Sequence, residues 1–563
     1  MKYIKRIFHY FFQDPTYIAP INKRAVMIGV VLLILAGLRV YYNIYSYMDI
    51  VYGDEVIYMK TGLNMTQQFN RDWGPLYCLW YKLLSFFIHD TIILYYFNFV
   101  FIAVLATVLI YIAFLAMDIH PLVAFYFALC FISSKAVVPM WPRISLFAIS
   151  LLMAGIIIVS RLRELYLRML VFCIVLLLAS YARPELYLSF IISVVIFLVY
   201  YFAEKIYLKA YSPYHLILFL LAATLLHFIF WFPSNSYNGY PRNLAAFFQH
   251  YMVNMFYLNK ATEYDWIYWK DAHKAIFANS DSIFSIIIHY PKEFFTHILL
   301  NCKNYIVEIF AKNICVIFPF LSGMNKLFLS GSIVVFASSI FLLFKKDIRS
   351  QFKTILKSHV FYLVMLTIWG IPTVISSVVI FPREHYIMLN YFLFIIPLCL
   401  LFSLVANRIQ QLQSLKYLVI LGIILIPILS SSKNYYFFLT DHDKNNMCSR
   451  KALEHIKNKH LDQHIQYTFF ADIHCFIGFL PNNFKEINTI FDKTKDVPFT
   501  AILEYNKPDF ILVNNCINYS PSMKDDASWM QFIKNPYAYG YRYEFVKDCP
   551  YYYLVRNTIH DKK

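Results

Sequence analysis

The stretch VYGDEVIYMKTGLNMTQQFNRDWGPLYCLWYKLL, residues 51–84, follows the first long apolar run and decides how the rest of the chain is interpreted. It carries an adjacent pair of carboxylates, Asp54 and Glu55, at the start of a segment with helical character. Polar, acid-bearing sequence directly after an apolar run predicts a loop at one face of a membrane. We therefore expect the other apolar runs to form a scaffold around this loop.

The composition excludes an ordinary soluble protein. Of 563 residues, 60% are hydrophobic and 19% aromatic, whereas only 15% are charged. Apolar runs of about 17 to 25 residues, each long enough to cross ~30 Å of hydrocarbon as a helix, recur as far as residue 432. The net charge of +17 is spread over short loops, as membrane topology alone produces, so we expect membrane lipids and no nucleic acid as partners.

Basic residues in short loops mark the inner face of a membrane. With the N-terminus inside, about eleven spans place every informative basic cluster on that face. The expected spans are 25–45, 91–117, 121–138, a fourth that ends at Arg161, two short tilted helices within 169–202 joined by an outer turn at 181–185, then 215–232, 327–344, 359–380, 387–406 and 417–430.

The span count divides the chain into three parts. A basic amphipathic lead, 1–24, lies on the inner surface, and an all-α polytopic membrane domain follows at 25–432, with outer loops 46–90 and 233–326. Within the second loop, 283–288 and 294–310 have the pattern of interfacial helices. The outer tail, 433–563, combines helical spacing at 449–459 with strand patterns at 466–470 and 510–514 and a hairpin at 541–556, which predicts a small α/β domain.

Four of the ten cysteines lie in this tail, at Cys448, Cys475, Cys516 and Cys549. On the outer side of a membrane they allow disulfides in any of three pairings, and four buried thiols are the alternative.

Charged side chains near the ends of spans are costly in lipid unless they are paired or used in function. On the expected topology they collect at the outer face: Asp54 with Glu55, Arg71 with Asp72, Lys82, Arg143, Arg183 with Glu185, and Arg383 with Glu384 and His385. Cations there suit an anionic lipid headgroup, and a carboxylate suits a hydroxyl that must lose its proton. This combination favours sugar transfer from a lipid-linked donor, with inversion in a single displacement.

A short set of residues also carries a family resemblance: Gly53-Asp54-Glu55, Tyr58 one turn on, Asp72-Trp73-Gly74-Pro75-Leu76-Tyr77 and Trp80. This set resembles the first outer loop of integral-membrane glycosyltransferases of the GT-C fold, such as the protein O-mannosyltransferases and the bacterial lipid A aminoarabinose transferases. The chain departs from those relatives at Trp73-Gly74-Pro75 and at Arg183-Pro184-Glu185, where we expect a different donor pocket.

The resemblance implies a bacterial inner-membrane enzyme with a cytoplasmic N-terminus and a periplasmic tail. It would transfer a sugar from a polyprenyl-phosphate donor to a lipid, glycan or protein acceptor. Asp54 is implied as general base or acceptor-site carboxylate, Glu55 as its support, and Arg183 and Arg383 as phosphate ligands. The remaining substrate-binding candidates are Tyr58, Asp72, Lys82, Arg143, Glu185, His385 and Tyr386. No cofactor is spelled out, and a divalent metal ion held by Asp54 with another acid is left open.

Each candidate also has a simpler structural interpretation. Asp54 follows Gly53 and could be a helix N-cap, although capping does not exclude catalysis. Adjacent helical residues point about 100° apart, so one carboxylate of the pair should face the substrate, and the resemblance favours Asp54. Arg71 could simply pair with Asp72. The other structural roles are snorkelling for Lys82, interfacial anchoring for Arg143, and neutralisation of Arg183 by Glu185.

Two other functions fit a chain of this class. A polysaccharide polymerase or ligase would rely on outer arginines more than on an Asp-Glu pair in the first loop. A transporter would place paired charges at mid-bilayer and often show inverted repeats, and the sequence shows neither.

Overall fold

The computed structural model of the chain describes residues 23–51, 53–66, 74–134, 136–208, 214–231, 236–237, 240–261, 269–278, 280–317, 346–409, 447–459, 461–471, 476–487, 498–514, 523 and 526–562. The expected spans at 327–344 and 417–430 lie outside these residues. So do most of the N-terminal lead and the side chains of Arg71, Asp72, Cys475 and Cys516.

The described chain is mostly helical. The helices are α1 Lys23–Val40, α2 Asp54–Leu63, α3 Pro75–Ser85, α4 Thr91–Ala116, α5 Pro121–Ser133, α6 Ile144–Arg161, α7 Leu165–Ser180, α8 Leu186–Leu208, α9 Tyr214–Phe230, α10 Arg242–Tyr257, α11 Trp269–Phe277, α12 Ile283–His289, α13 Pro291–Ile317, α14 Lys346–Ser358, α15 Val360–Val379, α16 Glu384–Ile387, α17 Tyr391–Ile409, α18 Cys448–Lys457, α19 Phe499–Asn506 and α20 Ala527–Lys534. Pro75, Pro121 and Pro291 each open a helix, where the missing N–H is not needed for an intrahelical bond.

Six helical segments of the described chain are long and apolar enough to cross a membrane: Val26–Ser46, Thr91–Ala116, Ile144–Arg161, Leu186–Ala203, Val360–Val379 and Glu384–Leu404. Shorter apolar helices occupy Pro121–Ser133, Leu165–Ser180 and Tyr214–Phe230. These segments make the chain a multi-pass membrane protein. The expected total of eleven spans stays a prediction.

The prediction of two helices within 169–202 is confirmed, because α7 ends at Ser180 and α8 begins at Leu186. The second helix is 23 residues long and is therefore not the short helix that we expected. The expected span 121–138 is also shorter in the structure, where α5 ends at Ser133. The carbonyls of Val137 and Val138 instead accept hydrogen bonds from Arg143.

The described part of 233–326, which we expect to be the second outer loop, contains packed helices with their own core. Helices α10 to α13 bury a largely aromatic cluster: Phe247, Phe248, Tyr251, Trp269, Phe277 and Phe294. The amphipathic pattern at 294–310 belongs to α13, which is 27 residues long and packs against α5, α15 and α17. This segment is therefore part of the helix packing. The predicted helices at 283–288 and 294–310 are confirmed, and their place at a membrane interface stays a prediction.

The described chain divides into two compact units. The helical unit comprises 1–42, 70–77 and 99–435, and the loop–tail unit comprises 43–69, 78–98 and 436–563. The loop–tail unit contains a mixed sheet in the order β4-β3-β5-β7-β6. Its strands are β3 Tyr467–Phe470, β4 Phe484–Glu486, β5 Phe510–Val513, β6 Tyr541–Phe545 and β7 Tyr552–Arg556, and a two-stranded ribbon of β1 Ser236–Tyr237 and β2 Tyr240–Pro241 belongs to the helical unit.

The sheet follows the predicted pattern of the tail. Strand β3 runs parallel to β4 and β5, while β7 is antiparallel to β5 and β6. The predicted hairpin at 541–556 is confirmed, since Tyr541 pairs with Arg556 and Phe545 with Tyr552. The sheet and the helices α19 and α20 enclose a second core around Phe499 and Trp529.

Two long-range links hold the start of α18. Cys448 forms a disulfide with Cys549. This bond is compatible with one of the three pairings and rules out the alternative of four buried thiols. Asp49 accepts hydrogen bonds from the backbone N–H groups of Ser449 and Arg450 at 2.8 and 2.9 Å. These N–H groups have no partner within their own helix, so Asp49 caps α18 from the first loop. Burial nevertheless raises the pKa of Asp49.

Candidate functional site

Glu55 lies in a buried hydrogen-bond network of the loop–tail unit. Its side chain is 1% exposed, and its Oε1 atom accepts from Tyr81 Oη at 2.5 Å and from Asn98 Nδ2 at 3.2 Å. Asn98 is itself fully buried, and its Oδ1 atom accepts from Trp80 Nε1 at 2.8 Å. A buried carboxylate is tolerated when donors surround it in this way. Glu55 therefore fixes the start of α2 against α3 and α4.

Asp54 is placed differently from its neighbour. Its side chain is half-buried, and it opens helix α2. The N-cap position belongs to Gly53, whose φ of 126° is readily adopted only by glycine, so the interpretation of Asp54 as the N-cap was wrong. A carboxylate in the first turn is favoured by the helix dipole. Tyr58, one turn on, is buried within the same helix.

In the helical unit, the turn between α7 and α8 holds a short ion pair. Arg183 is 5% exposed, and its Nε atom donates to Glu185 Oε1 at 2.7 Å. The Arg183 guanidinium also lies 4.6 Å from the centre of the Tyr386 ring. The turn carbonyl of Tyr181 accepts from the N–H of Leu76 at 3.3 Å, which brings the Gly-Pro-Leu-Tyr motif beside this turn.

Arg383, in the segment before α16, is a second cation in the group that contains Arg183 and Tyr386. Among the described residues, the half-buried Arg383 side chain has no carboxylate within salt-bridge distance. His385 is buried, its ring lies 4.3 Å from that of Tyr386, and its carbonyl accepts from Ser145 Oγ at 2.5 Å. We call Arg183, Glu185, Arg383, His385 and Tyr386 the cation–aromatic cluster.

His250 of α10 extends this cluster. Its ring stacks on Phe381 at 5.3 Å and lies 6.5 Å from Tyr386. Burial, with Arg383 nearby, holds the pKa of His250 well below its usual value, so the ring is neutral. Nδ1 donates to the Ala246 carbonyl at 2.6 Å, which leaves Nε2 as a buried acceptor without a partner in the described part of the chain.

A second polar network fixes the segment that carries Arg383. His297 Nε2 contacts the carbonyls of Val379 and Ile380 at 3.2 and 3.0 Å, where α15 ends. Asn301 Nδ2 donates to the Val378 carbonyl at 2.8 Å, and Asn254 links the two side chains. These contacts satisfy carbonyls that lack partners within their own helix. Burial lowers the pKa of His297 to about 4, so this network contains a neutral imidazole.

Arg143 and Lys82 are placed less favourably for substrate binding. The Arg143 side chain is fully buried and donates to the carbonyls of Val137 and Val138, both at 2.7 Å. Its guanidinium also lies 3.4 Å from the centre of the Phe99 ring. Lys82 Nζ contacts the Leu63 carbonyl at 3.4 Å and lies 5.7 Å from the Phe86 ring. These contacts suit structural roles for both residues.

The described residues bring together no group of three or more His, Cys, Asp or Glu side chains that could hold a metal ion. A metal ion held by Asp54 with another acid stays a prediction, because Asp72 lies outside the described residues.

Sequence reasoning missed the residues that surround the candidates. His250, His297 and Asn98 are uncharged or neutral, and each reaches its partner across a large separation in sequence. A polar residue inside an otherwise apolar helix is the one available signal, and Asn98 within α4 shows it.

Neither protein-family models nor curated proteins match this chain. Among solved structures, it is similar to an archaeal oligosaccharyltransferase, AglB from Archaeoglobus fulgidus, in complex with an inhibitory peptide and a dolichol-phosphate. The sequence identity is 11% and the TM-score is 0.41, over 88% of this chain and 70% of that chain. A likeness at this level assigns neither a substrate nor a site residue to the chain.

Proposed function

We propose that this chain is a GT-C-type membrane glycosyltransferase that moves a sugar from a polyprenyl-phosphate donor to a hydroxyl of a lipid, glycan or protein acceptor. The reaction would take place at the outer face of a bacterial inner membrane, with the N-terminus inside and the tail outside. The observation that carries the proposal is the unequal state of two adjacent carboxylates. Glu55 is buried and hydrogen-bonded, whereas Asp54 is half-buried at the first turn of α2.

This arrangement suits a general base. The Glu55 network immobilises the backbone from which the Asp54 side chain projects, so its carboxylate is held in position before the acceptor arrives. A half-buried carboxylate can still meet a hydroxyl from solvent. Asp54 would accept the hydroxyl proton while the oxygen attacks the anomeric carbon of the donor sugar.

The cation–aromatic cluster suits the leaving group. As the bond between the anomeric carbon and the phosphate oxygen breaks, its electron pair stays on that oxygen, and negative charge on the phosphate grows. Arg383, whose guanidinium is not neutralised by a described acid, and Arg183 would stabilise that charge. His250 Nε2 could accept a hydrogen bond from a sugar hydroxyl. One displacement of this kind inverts the anomeric centre.

The test is lipid profiling of a host strain that lacks this gene. We expect mass spectrometry to detect an accumulated polyprenyl-phosphate sugar, which disappears when the wild-type chain is restored. Asp54→Asn should leave the accumulation in place at normal protein abundance. Glu454→Gln is the matched control, because it removes an exposed carboxylate of the same unit and should behave as wild type. Full complementation by Asp54→Asn, or no accumulated lipid in the deletion strain, would contradict the proposal.

A further inference from the structure

The loop–tail unit contains a cavity of about 420 Å³ near the C-terminal end of α2. This volume lies within the range of about 300 to 1,000 Å³ in which proteins bind small molecules. On one side the cavity is bordered by α2, and on the other by the 3₁₀ turn Phe476–Phe479 and strand β4. A cavity between two such elements is a candidate binding site when polar side chains that line it have no internal partners.

The polar side chains of the cavity meet this condition. Five of the lining residues carry them: Lys60, Asn64, Gln466, Asn482 and Lys485. Within the described residues, none of the five uses its side chain in a hydrogen bond or an ion pair. Lys60 and Asn64 are half-buried and the other three are exposed, so a ligand can reach all of them from solvent. The cavity thus presents two ammonium groups and three amides without internal partners.

The floor of the cavity is apolar, and the 3₁₀ turn that forms part of it packs closely against α2. Ile477, Leu480 and Phe484 are each less than a tenth exposed. Gly478 allows the 3₁₀ turn to approach α2, since a Cβ atom there would lie 2.6 Å from Val56 Cγ1. This contact joins the turn to the same helix that begins at Asp54.

The chemistry of the lining favours one class of ligand. Two lysines attract an anion, and no acidic side chain is found among the described residues that line the cavity. Carboxamides both donate and accept hydrogen bonds, so three of them suit the hydroxyl groups of a sugar. The apolar floor suits the non-polar face of a sugar ring. An acidic peptide would use the two lysines but would leave the amides without hydroxyl partners.

We propose that this cavity binds a negatively charged carbohydrate that forms part of the acceptor, with the charge on a carboxylate or a phosphate. The acceptor role rests on the proposed function. Lys60 lies six residues after Asp54 in α2, or about 9 Å along the helix axis. The cavity would therefore hold a part of the acceptor remote from the reacting hydroxyl, where binding energy serves to position that hydroxyl.

The test is direct binding to the purified full-length chain in lipid nanodiscs, measured by calorimetry. The probes are trigalacturonic acid and glucose 6-phosphate, compared with neutral galactotriose and with a triglutamate peptide. We expect at least one anionic sugar to bind about tenfold more tightly than either comparison ligand. Its affinity should fall about tenfold in Lys60→Gln and in Lys485→Gln, and more in the double variant, because each removes a charged donor.

Two further variants guard against indirect effects. Lys534→Gln removes an exposed lysine of the same unit that does not line the cavity, and it should bind as wild type. Asn482→Trp places a bulky ring at the exposed rim and should block binding without disturbing a core. Equal binding of galactotriose, equal binding of triglutamate, or affinity unchanged in the double lysine variant would overturn the proposal.

The outcome of the binding experiment can be distinguished from the outcome of the lipid profile, which tests the proposed function. Asp54→Asn should bind the anionic sugar normally, because Asp54 does not line the cavity. If the lipid profile fails while binding succeeds, the cavity is a carbohydrate site without the proposed transfer. If binding fails while the lipid profile succeeds, the transfer stands and the acceptor site lies elsewhere.

Discussion

Glu55 Oε1 and Tyr81 Oη lie 2.5 Å apart in a buried pocket where Asn98 contacts both side chains. This contact distinguishes the buried, structural carboxylate, Glu55, from the half-buried Asp54. Neighbours in sequence therefore have opposite expected phenotypes on substitution.

Asp54→Asn should lower transfer by about 10²- to 10⁴-fold, the usual contribution of a general base. Its melting temperature should stay near that of wild type. Glu55→Ala should instead destabilise the chain by about 1 to 3 kcal/mol, because the hydrogen-bond donors of Tyr81 and Asn98 lose Glu55 as their acceptor. Activity assays and thermal melting of both variants in the same detergent check this. A stable Glu55→Ala protein together with an unfolded Asp54→Asn protein would reverse the assignment.

Arg383 and Arg143 provide the second contrast. Arg383→Ala should weaken donor binding by about tenfold or more while the fold persists, because its half-buried guanidinium holds no described acid. Arg143→Ala should lower stability, since it leaves the carbonyls of Val137 and Val138 without their donor. The measurement is the KM for the lipid donor beside the melting temperature. Arg383→Lys should recover part of the affinity, and a normal KM in Arg383→Ala would exclude the residue from donor binding.

His250→Phe tests the buried acceptor in the cation–aromatic cluster. Phenylalanine retains an aromatic ring to stack on Phe381 but removes Nε2. We expect the KM for the donor to rise by about three- to tenfold, since one hydrogen bond is lost. His289→Phe, at the end of α12, is the matched control and should have no effect. An unchanged KM in His250→Phe would remove this residue from the site.

His297 predicts a pH dependence of stability. Its pKa in the fold is about 4, against about 6.5 for a free imidazole. Below pH 6.5 the unfolded chain binds a proton that the folded chain does not, so stability falls as the pH drops from about 6.5 to about 4. The loss should reach at most roughly 3 kcal/mol. Melting curves between pH 4.5 and 7.5 check this, and His297→Gln should show a shallower slope. Identical slopes would contradict the prediction.

The sequence was informative wherever a local pattern carries the signal. The length of the apolar run at 169–202 and its polar interruption predicted the turn between α7 and α8. Arg183 and Glu185, two residues apart in that turn, form an ion pair. The hairpin of the tail followed from strand alternation and the break at 548–550. Each of these features depends on residues that are close in the chain.

The rest could not be read from local pattern. A buried arginine and an exposed one look alike in a short turn, so the enclosure of Arg143 appears only in the packing. The contacts of His297 with the end of α15 join positions more than 80 residues apart. The cavity polar groups come from three separate segments, and their lack of partners is a property of the folded chain alone.

The cap that Asp49 supplies to α18 has a consequence for biosynthesis. Its partners Ser449 and Arg450 are 400 and 401 residues later in the chain. Translation adds about 5 to 20 residues per second. The ribosome therefore synthesises those N–H groups roughly 20 to 80 seconds after it has synthesised the first loop. An interrupted or truncated chain therefore leaves the segment around Asp54 without this support. The first loop is completed only when the C-terminal tail has been translated.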